Sequence, residues 1–432
     1  MAGAGVRTVR TWARDTAGGL PAAFWYLWTG TLVNRLGSFV NIFLAIYLTQ
    51  ARGFTAAAAG LVVGLGGAGG AVGTLLGGVL ADRWGRRPTL LTAHLGAATM
   101  MTLLGFTRPY LAIAGGVLLL GAFTEMVRPA FSAMMVDVVP DRDRLRAFSL
   151  NYWAINVGFA CAAVLAGLAA QASYLALFVV DAATTVVTAA IVFLKVRETR
   201  PPRAAQSAHP VIQGAGLRAV FGDRVFLPFV GVNLMIAFVF LQHSSTLPIA
   251  MSRDGLSPAT FGWVIALNGV LIVGGQLFVP RLINGRAQSR VLALAGVIIG
   301  IGFGLTAFAD AAPLYALTVL IWTMGEMLHS PSTSTLVARL SPAALRGRYQ
   351  GVLSLSWSIA AFAAPTLGGL VQEHAGSRAL WLGCGAVAVV AAGAHLVSGP
   401  ARERRARALD AGLEAVPARG PAEPEPALAP AG

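Results

Sequence analysis

Residues Gly77 to Pro88 read GGVLADRWGRRP. An apolar, glycine-dense run (Ala56 to Leu80) precedes them and a second apolar run (Thr89 to Phe106) follows. A tight turn with one acid, three arginines and a glycine thus joins two stretches of membrane-crossing length. Gly78, Asp82, Gly85, Arg86 and Arg87 fall in the spacing G-x-x-x-D-x-x-G-R-R. Gly78 suits close helix approach, and Gly85 can take the positive φ that a sharp turn requires. Asp82 is placed to sit near a helix N-terminus, where a carboxylate is favoured by about 0.3–1 kcal/mol.

The surrounding composition fits that reading. Of 432 residues, 56% are hydrophobic and 12% charged, with mean hydropathy +0.70; soluble domains carry about 25% charged residues. Lipid is the solvent implied. The net charge of +14 does not indicate a nucleic-acid partner, because the basic residues lie between apolar runs rather than on one soluble face. Lys195 is the single lysine and lies outside any G-x-x-x-x-G-K context, which excludes a Walker-type nucleotide site. The literal G-x-G-x-x-G from Gly64 to Gly69 lies inside an apolar helix-length run, where small residues four apart serve helix packing. Cys161 and Cys384 sit in apolar runs and the six histidines are scattered, so neither a disulfide framework nor a metal site is expected. No cleavable leader is evident at the start, and no nucleophile–base constellation points to an enzyme.

Twelve candidate spans follow: 22–50, 56–81, 89–106, 109–137, 146–170 and 174–195, then 225–250, 259–283, 289–308, 311–338, 347–372 and 377–398. The expected organisation is a six-helix bundle over 1–195, a polar linker over 196–223, a second six-helix bundle over 224–398, and a disordered Ala/Pro/Glu-rich tail over 399–432. Alternate connections and the two ends hold 26 of the 32 basic residues, and the opposite side holds only Arg52, Arg108, Arg253 and Arg378. The positive-inside rule then places both termini and the linker in the cytoplasm.

The halves repeat each other. TEMVRPAFSAMMVDVVP (from Thr124) aligns without gaps to GEMLHSPSTSTLVARLS (from Gly325), matching Glu125 to Glu326. One residue later in register, Pro140, Arg144, Arg146 and Gly167 fall on Pro342, Arg346, Arg348 and Gly369. Asn34 matches Asn233, and Asn284 stands where Asp82 does. Parallel six-helix repeats are one of the plans used by secondary transporters, with the substrate site between them.

Together the loop spacing, the 6+6 plan and the repeat resemble the major facilitator superfamily over roughly residues 20 to 398. The resemblance implies an all-α membrane protein of two pseudo-symmetric six-helix bundles, with spans 1, 4, 7 and 10 lining a central cavity. It further implies that Asp82 holds a cytoplasmic gate against the start of span 11 in the outward-open state. In that gate it is paired through Arg83 or Arg86 with Asp137 at the end of span 4, while Gly78, Gly85 and Arg87 complete the motif. The run E-x-x-R-P-A (Glu125 to Ala130) followed by D-x-V-P (Asp137 to Pro140) resembles the bacterial multidrug-efflux branch. Span 5 departs from that branch: GFACAAVLAG (Gly158 to Gly167) keeps only the first and last glycines of its G-x-x-x-G-P-x-x-G-G pattern, and AAFAAPTLGG in span 11 lies nearer to it.

Ionisable residues inside spans are the informative ones: Arg35, Glu125, Arg128, Asp181 and Glu326. Each costs about 2.5–3.5 kcal/mol at a helix centre, so they are expected to face water or one another. Glu125 and Arg128 share a helical face. Polar stripes run along span 1 (Asn34, Arg35, Ser38, Asn41), span 5 (Ser149, Tyr152, Asn156) and span 10 (Glu326, His329, Thr333), more weakly along span 7 (Asn233, Gln242, His243). Desolvation penalises the charged form of a carboxylate lacking a cation, so Asp181 and Glu326 are the preferred proton carriers. Asp181 also suits a packing hydrogen bond, and Glu125–Arg128 either organises the cavity or is a structural pair. Trp153, Phe131 and Trp322 suit an apolar cargo or plain packing.

The expected function is proton-driven export of an amphipathic small molecule by a monomer in the bacterial inner membrane. It needs no cofactor beyond the proton gradient. A proton-coupled importer of a metabolite and a non-transporting membrane sensor are the alternatives.

Overall fold

A computed structural model describes residues 18–199, 220–276, 278–342 and 345–414; among them every regular element is helical. The first span comprises α1 (Ala22–Leu36) and α2 (Phe39–Ile46), the latter extended by a π turn to Ala51. Then come α3 (Ala56–Arg83), α4 (Arg86–Phe106), α5 (Tyr110–Val138), α6 (Arg144–Ala172) and α7 (Tyr174–Lys195). In the second half α8 (Phe226–Phe240) and α9 (Thr246–Arg253) make span 7, and α10 (Pro258–Gly275) and α11 (Val279–Ile283) make span 8. The last spans are α12 (Gln288–Leu305), α13 (Ala312–Leu340), α14 (Arg346–His374) and α15 (Gly376–Val397), after which α16 (Gly399–Glu414) follows.

Eleven of the twelve crossing units are long and apolar enough to span a bilayer. The twelfth, α13, has the length (29 residues) but carries Thr323, Glu326, His329, Ser332 and Thr333. Its polarity is what a pathway-lining helix needs, since polar groups in a membrane protein face the bundle interior or a wet cavity.

Span 1 breaks at Gly37 and Ser38, and the break is built by α7. A methyl on Gly37 would occupy the place of the Thr184 side chain, so only glycine lets α1 lie this close. Below the break Asn34 Nδ2 donates to Thr185 Oγ1 (3.0 Å), and Thr188 Oγ1 donates to the Gly30 carbonyl (3.1 Å). Above it the Asp181 carboxylate accepts from the Val40 amide (3.0 Å), satisfying the exposed start of α2.

The cores show how the halves meet. One cluster joins Phe39, Phe43, Ala162 and Ala166 of the first half to Val239, Phe261, Phe303 and Trp322 of the second, toward the arginine-poor ends of these helices. At the arginine-rich end two separate cores form, one around Phe24, Leu90, Met134 and Val192 and the other around Phe226, Leu336, Tyr349 and Val352. Helix α3 packs on α14 and α6 on α10 along their arginine-poor halves: a methyl on Gly167 would come within 2.9 Å of the Ala259 Cα, and one on Gly60 within 3.2 Å of the Gly369 Cα. Hydrogen bonds that join the halves, Gln50 Nε2 to Ser252 Oγ (2.5 Å) and Ala57 N to Glu373 Oε2 (2.8 Å), lie at that end too. The molecule is closed at the arginine-poor face and parted at the arginine-rich one.

One expectation needs correcting. The tail does not become disordered at Gly399: α16 folds back under the second half. Arg405 Nη2 reaches Asp223 Oδ2 (2.7 Å) and the Tyr349 hydroxyl (3.1 Å), and its Nε reaches the Leu340 carbonyl (3.3 Å). Arg405 is thus structural, because a carbonyl, a carboxylate and a hydroxyl at the ends of α13, α8 and α14 take its donors. Of the polar linker, residues 196–199 and 220–223 are described; residues 200–219 and 415–432 lie outside the described residues.

Candidate functional site

The loop from Gly77 to Pro88 is held by carboxylates from two other segments. Arg86 Nε pairs with Asp137 Oδ2 (3.1 Å), while its Nη1 stands 3.9 Å from Asp82 Oδ1. Arg86, not Arg83, is therefore the residue that links the two acids. Arg83 is exposed, and so is Asp82, whose side chain is 76% accessible. Asp82 does not touch α14, as follows from the parting of the halves at this end. Gly85 takes φ +116°, and the Glu198 carboxylate stands where its Cβ would be. Glu198 accepts from the amides of Arg86 (2.9 Å) and Arg87 (3.1 Å), capping α4, and Thr199 Oγ1 donates to Asp137 (2.9 Å). The Arg87 guanidinium covers the Phe193 ring at 5.0 Å. Sequence reading missed Glu198 because it lies 112 residues from the loop it caps. A Cβ on Gly78 would meet nothing within 4 Å among the described residues, so Gly78 does not bring two helices together; Gly73 and Gly77 pack α3 on α5 instead. Helical phase decides this, since Gly78 lies about 100° round the helix from Gly77.

Deeper in the bundle the charged residues gather as two groups. In the first half, half-buried Arg35 stands within electrostatic reach of Glu125, Arg128 and Asp181, with His94 beside it. Arg128 Nη2 pairs with Glu125 Oε2 at 3.1 Å, and the two side chains are 73% and 36% accessible. Each partner offsets the charge of the other, as the cost of charge inside a span requires. Asp181, 2% exposed, is committed to the α2 amide.

In the second half Glu326 Oε2 accepts from Asn268 Nδ2 (2.7 Å), and the same amide group donates to Thr323 Oγ1 (3.1 Å). Tyr152 of α6, in the other half, lies within electrostatic range of Glu326. Asn268 was not anticipated, and no local spacing would reveal it, because it meets Glu326 only through α10–α13 packing. His329, close in sequence, turns away toward Thr333 (3.4 Å) and His395.

The remaining expected site residues divide. Asn156 donates to its own helix at Tyr152 O (2.8 Å), and Asn233, fully buried, donates to Ser356 Oγ (2.8 Å) on α14. Both are packing contacts. Asn41 is exposed on α2. Trp322, 1% exposed, packs between Phe240, His243 and Phe303, whereas Trp153 is 45% exposed.

Residues 27–365 match the family model of the Major Facilitator Superfamily. The chain belongs to that superfamily. The transporter is 28% identical to YttB, an uncharacterized MFS-type transporter of Bacillus subtilis (strain 168), over 84% of this chain and 91% of that one. To the multidrug resistance protein MdtH of Aeromonas salmonicida (strain A449) it is 25% identical, over 84% and 92%. The crystal structure of the nucleoside transporter NupG superposes with TM-score 0.74 at 16% identity, covering 88% of this transporter and 99% of NupG. That likeness carries the fold.

Proposed function

We propose that the transporter exports an amphipathic small molecule in exchange for protons, by rocking of its halves between the state described here and one open at the opposite face. With the arginine-rich face taken as cytoplasmic, the present state is inward-open and ready to load cargo from the cell. Arg35, Glu125 and Arg128 recognise or orient the cargo, and Trp153 offers it an apolar surface. Glu326 carries the proton. The observation that carries this reading is the setting of Glu326, whose described partner is the neutral amide of Asn268, with Tyr152 of the other half within electrostatic range. An acid with no basic partner can change charge without breaking an ion pair, and a neighbour from the opposite half makes that charge sensitive to rocking. Asp181 serves the span-1 break instead. The multidrug resistance protein among the relatives supports the direction.

Dye efflux driven by an imposed pH gradient in inverted vesicles tests the proposal. Glu326→Gln is expected to lower gradient-driven transport at least tenfold while dye exchange without a gradient persists. Asp181→Asn keeps gradient dependence, with a reduced yield of folded protein. Gradient-driven efflux unchanged in E326Q would overturn the assignment, and uptake by right-side-out vesicles would reverse the direction.

A further inference from the structure

Helices α3 and α14 come from opposite halves and run antiparallel. Along their contact Gly60 faces Gly369, Gly64 faces Phe362, and Gly67 faces Ala361. Each helix therefore starts beside the end of the other, and each carries a carboxylate at its penultimate residue: Asp82 in Ala56–Arg83 and Glu373 in Arg346–His374.

The two carboxylates are in opposite situations. Glu373 reaches across the halves to the first turn of α3, where its Oε2 accepts from the Ala57 amide (2.8 Å) with Thr55 beside it. Thr55 accepts from the next amide, that of Ala58 (3.2 Å), so the two halves share the capping of this helix start. Arg253 and His374 stand within electrostatic reach of Glu373. At the other end of the pair the helices have diverged. A Cβ on Gly67 would still collide with the Ala361 carbonyl, but one on Gly78, on the same face about three turns further on, would meet nothing within 4 Å among the described residues. Asp82 stands exposed there.

We propose that Glu373 is the latch of the arginine-poor face: it holds that face closed in the state described here and releases α3 when the face opens. It mirrors, at the opposite end of the same helix pair, the gate that the family resemblance assigns to Asp82. A carboxylate is favoured at a helix start by the amide dipoles and free N–H groups aimed at it. Because the contact joins the two halves, it exists in one state and not in the other, which is the condition for biasing an equilibrium between them. The inference rests on the rocking of the halves proposed above, and not on the cargo, the proton or the direction of transport.

Phe43 supplies the reporter, since it is 0% exposed and meets Phe261 of the other half at 5.4 Å across the closed face. With Cys161 and Cys384 replaced by alanine, Phe43→Cys is labelled in right-side-out membrane vesicles by a membrane-impermeant maleimide added outside. The labelling rate then follows the share of outward-open molecules. Glu373→Gln is expected to raise that rate about two- to fivefold. Ala57→Pro, which removes the donor at a first-turn position where proline is tolerated, is expected to raise it likewise. Asp82→Asn is expected to lower the rate by a similar factor, and Asp82→Asn with Glu373→Gln to return it to within about twofold of the reporter chain. An unchanged or slower rate in E373Q would overturn the proposal. So would faster labelling in D82N, which would mean general loosening instead of opposed latches. Absence of labelling from outside in every variant would remove the rocking itself, and the latch with it. Glu373 is exposed, and size-exclusion profiles verify that each variant folds.

Discussion

At the scale of single residues, the loop motif is held by chemistry its own spacing does not contain. Asp82, Arg86 and Asp137 were legible because charge inside a mostly apolar chain has few explanations. Glu198 was not, since a capping carboxylate is defined by where its helix ends. Gly85 joins the two: its positive φ and missing side chain admit Glu198 to the α4 amides. Gly85→Ala combines a strained backbone with displacement of that cap, each of order 1 kcal/mol or more. A melting temperature lowered by several degrees in detergent is expected, together with weaker discrimination between the two open states. An unchanged melt would show that Glu198 can shift without cost. The same scale separates Asp181 from Glu326: both are acids inside spans, but one holds a broken helix together and the other, among the described residues, accepts from a neutral amide.

At the scale of elements, small residues decide how closely helices approach, and the approach decides the state. Helix α6 meets α10 through Gly167, Ala259 and Gly262, where a methyl on Gly262 would already come within 3.4 Å of the Gly167 Cα. Gly262→Leu is expected to hold the arginine-poor face apart and favour the outward-open state. Spin-label distances between positions 52 and 253, both at that face, would lengthen, and transport would fall while the melt stays near that of the native protein. Distances unchanged in the variant would show that the contact tolerates bulk and does not set the state. Sequence periodicity located every span to within a few residues, because about 20 apolar residues are needed to cross lipid. It missed the breaks in spans 1, 7 and 8, which depend on contacts between helices.

For the whole molecule, α16 is a clamp. Arg405 of α16 pairs with Asp223, whose side chain is 2% accessible, and Asp223 in turn caps α8 through the amides of Val225 and Phe226 and accepts from Tyr349 (2.6 Å). Removing one partner of a buried pair costs about 3–5 kcal/mol. Arg405→Gln is accordingly expected to lower the melting temperature clearly, and Asp223→Asn with Arg405→Gln less than the sum of the two single changes. Strict additivity would show that the ion pair contributes nothing. The clamp gathers the ends of α8, α13 and α14.

The amino-acid sequence alone determined the solvent, the all-helical membrane plan and the approximate bounds of the spans. Each of these depends on composition along the chain, and lipid punishes exposed charge and unpaired backbone whatever the packing. Only tertiary structure decided which acids have partners, which glycines touch, and which face is open. Those depend on helices brought together from far apart in the chain: Glu198 reaches back 112 residues to Arg86, and Asn268 reaches 58 residues forward to Glu326.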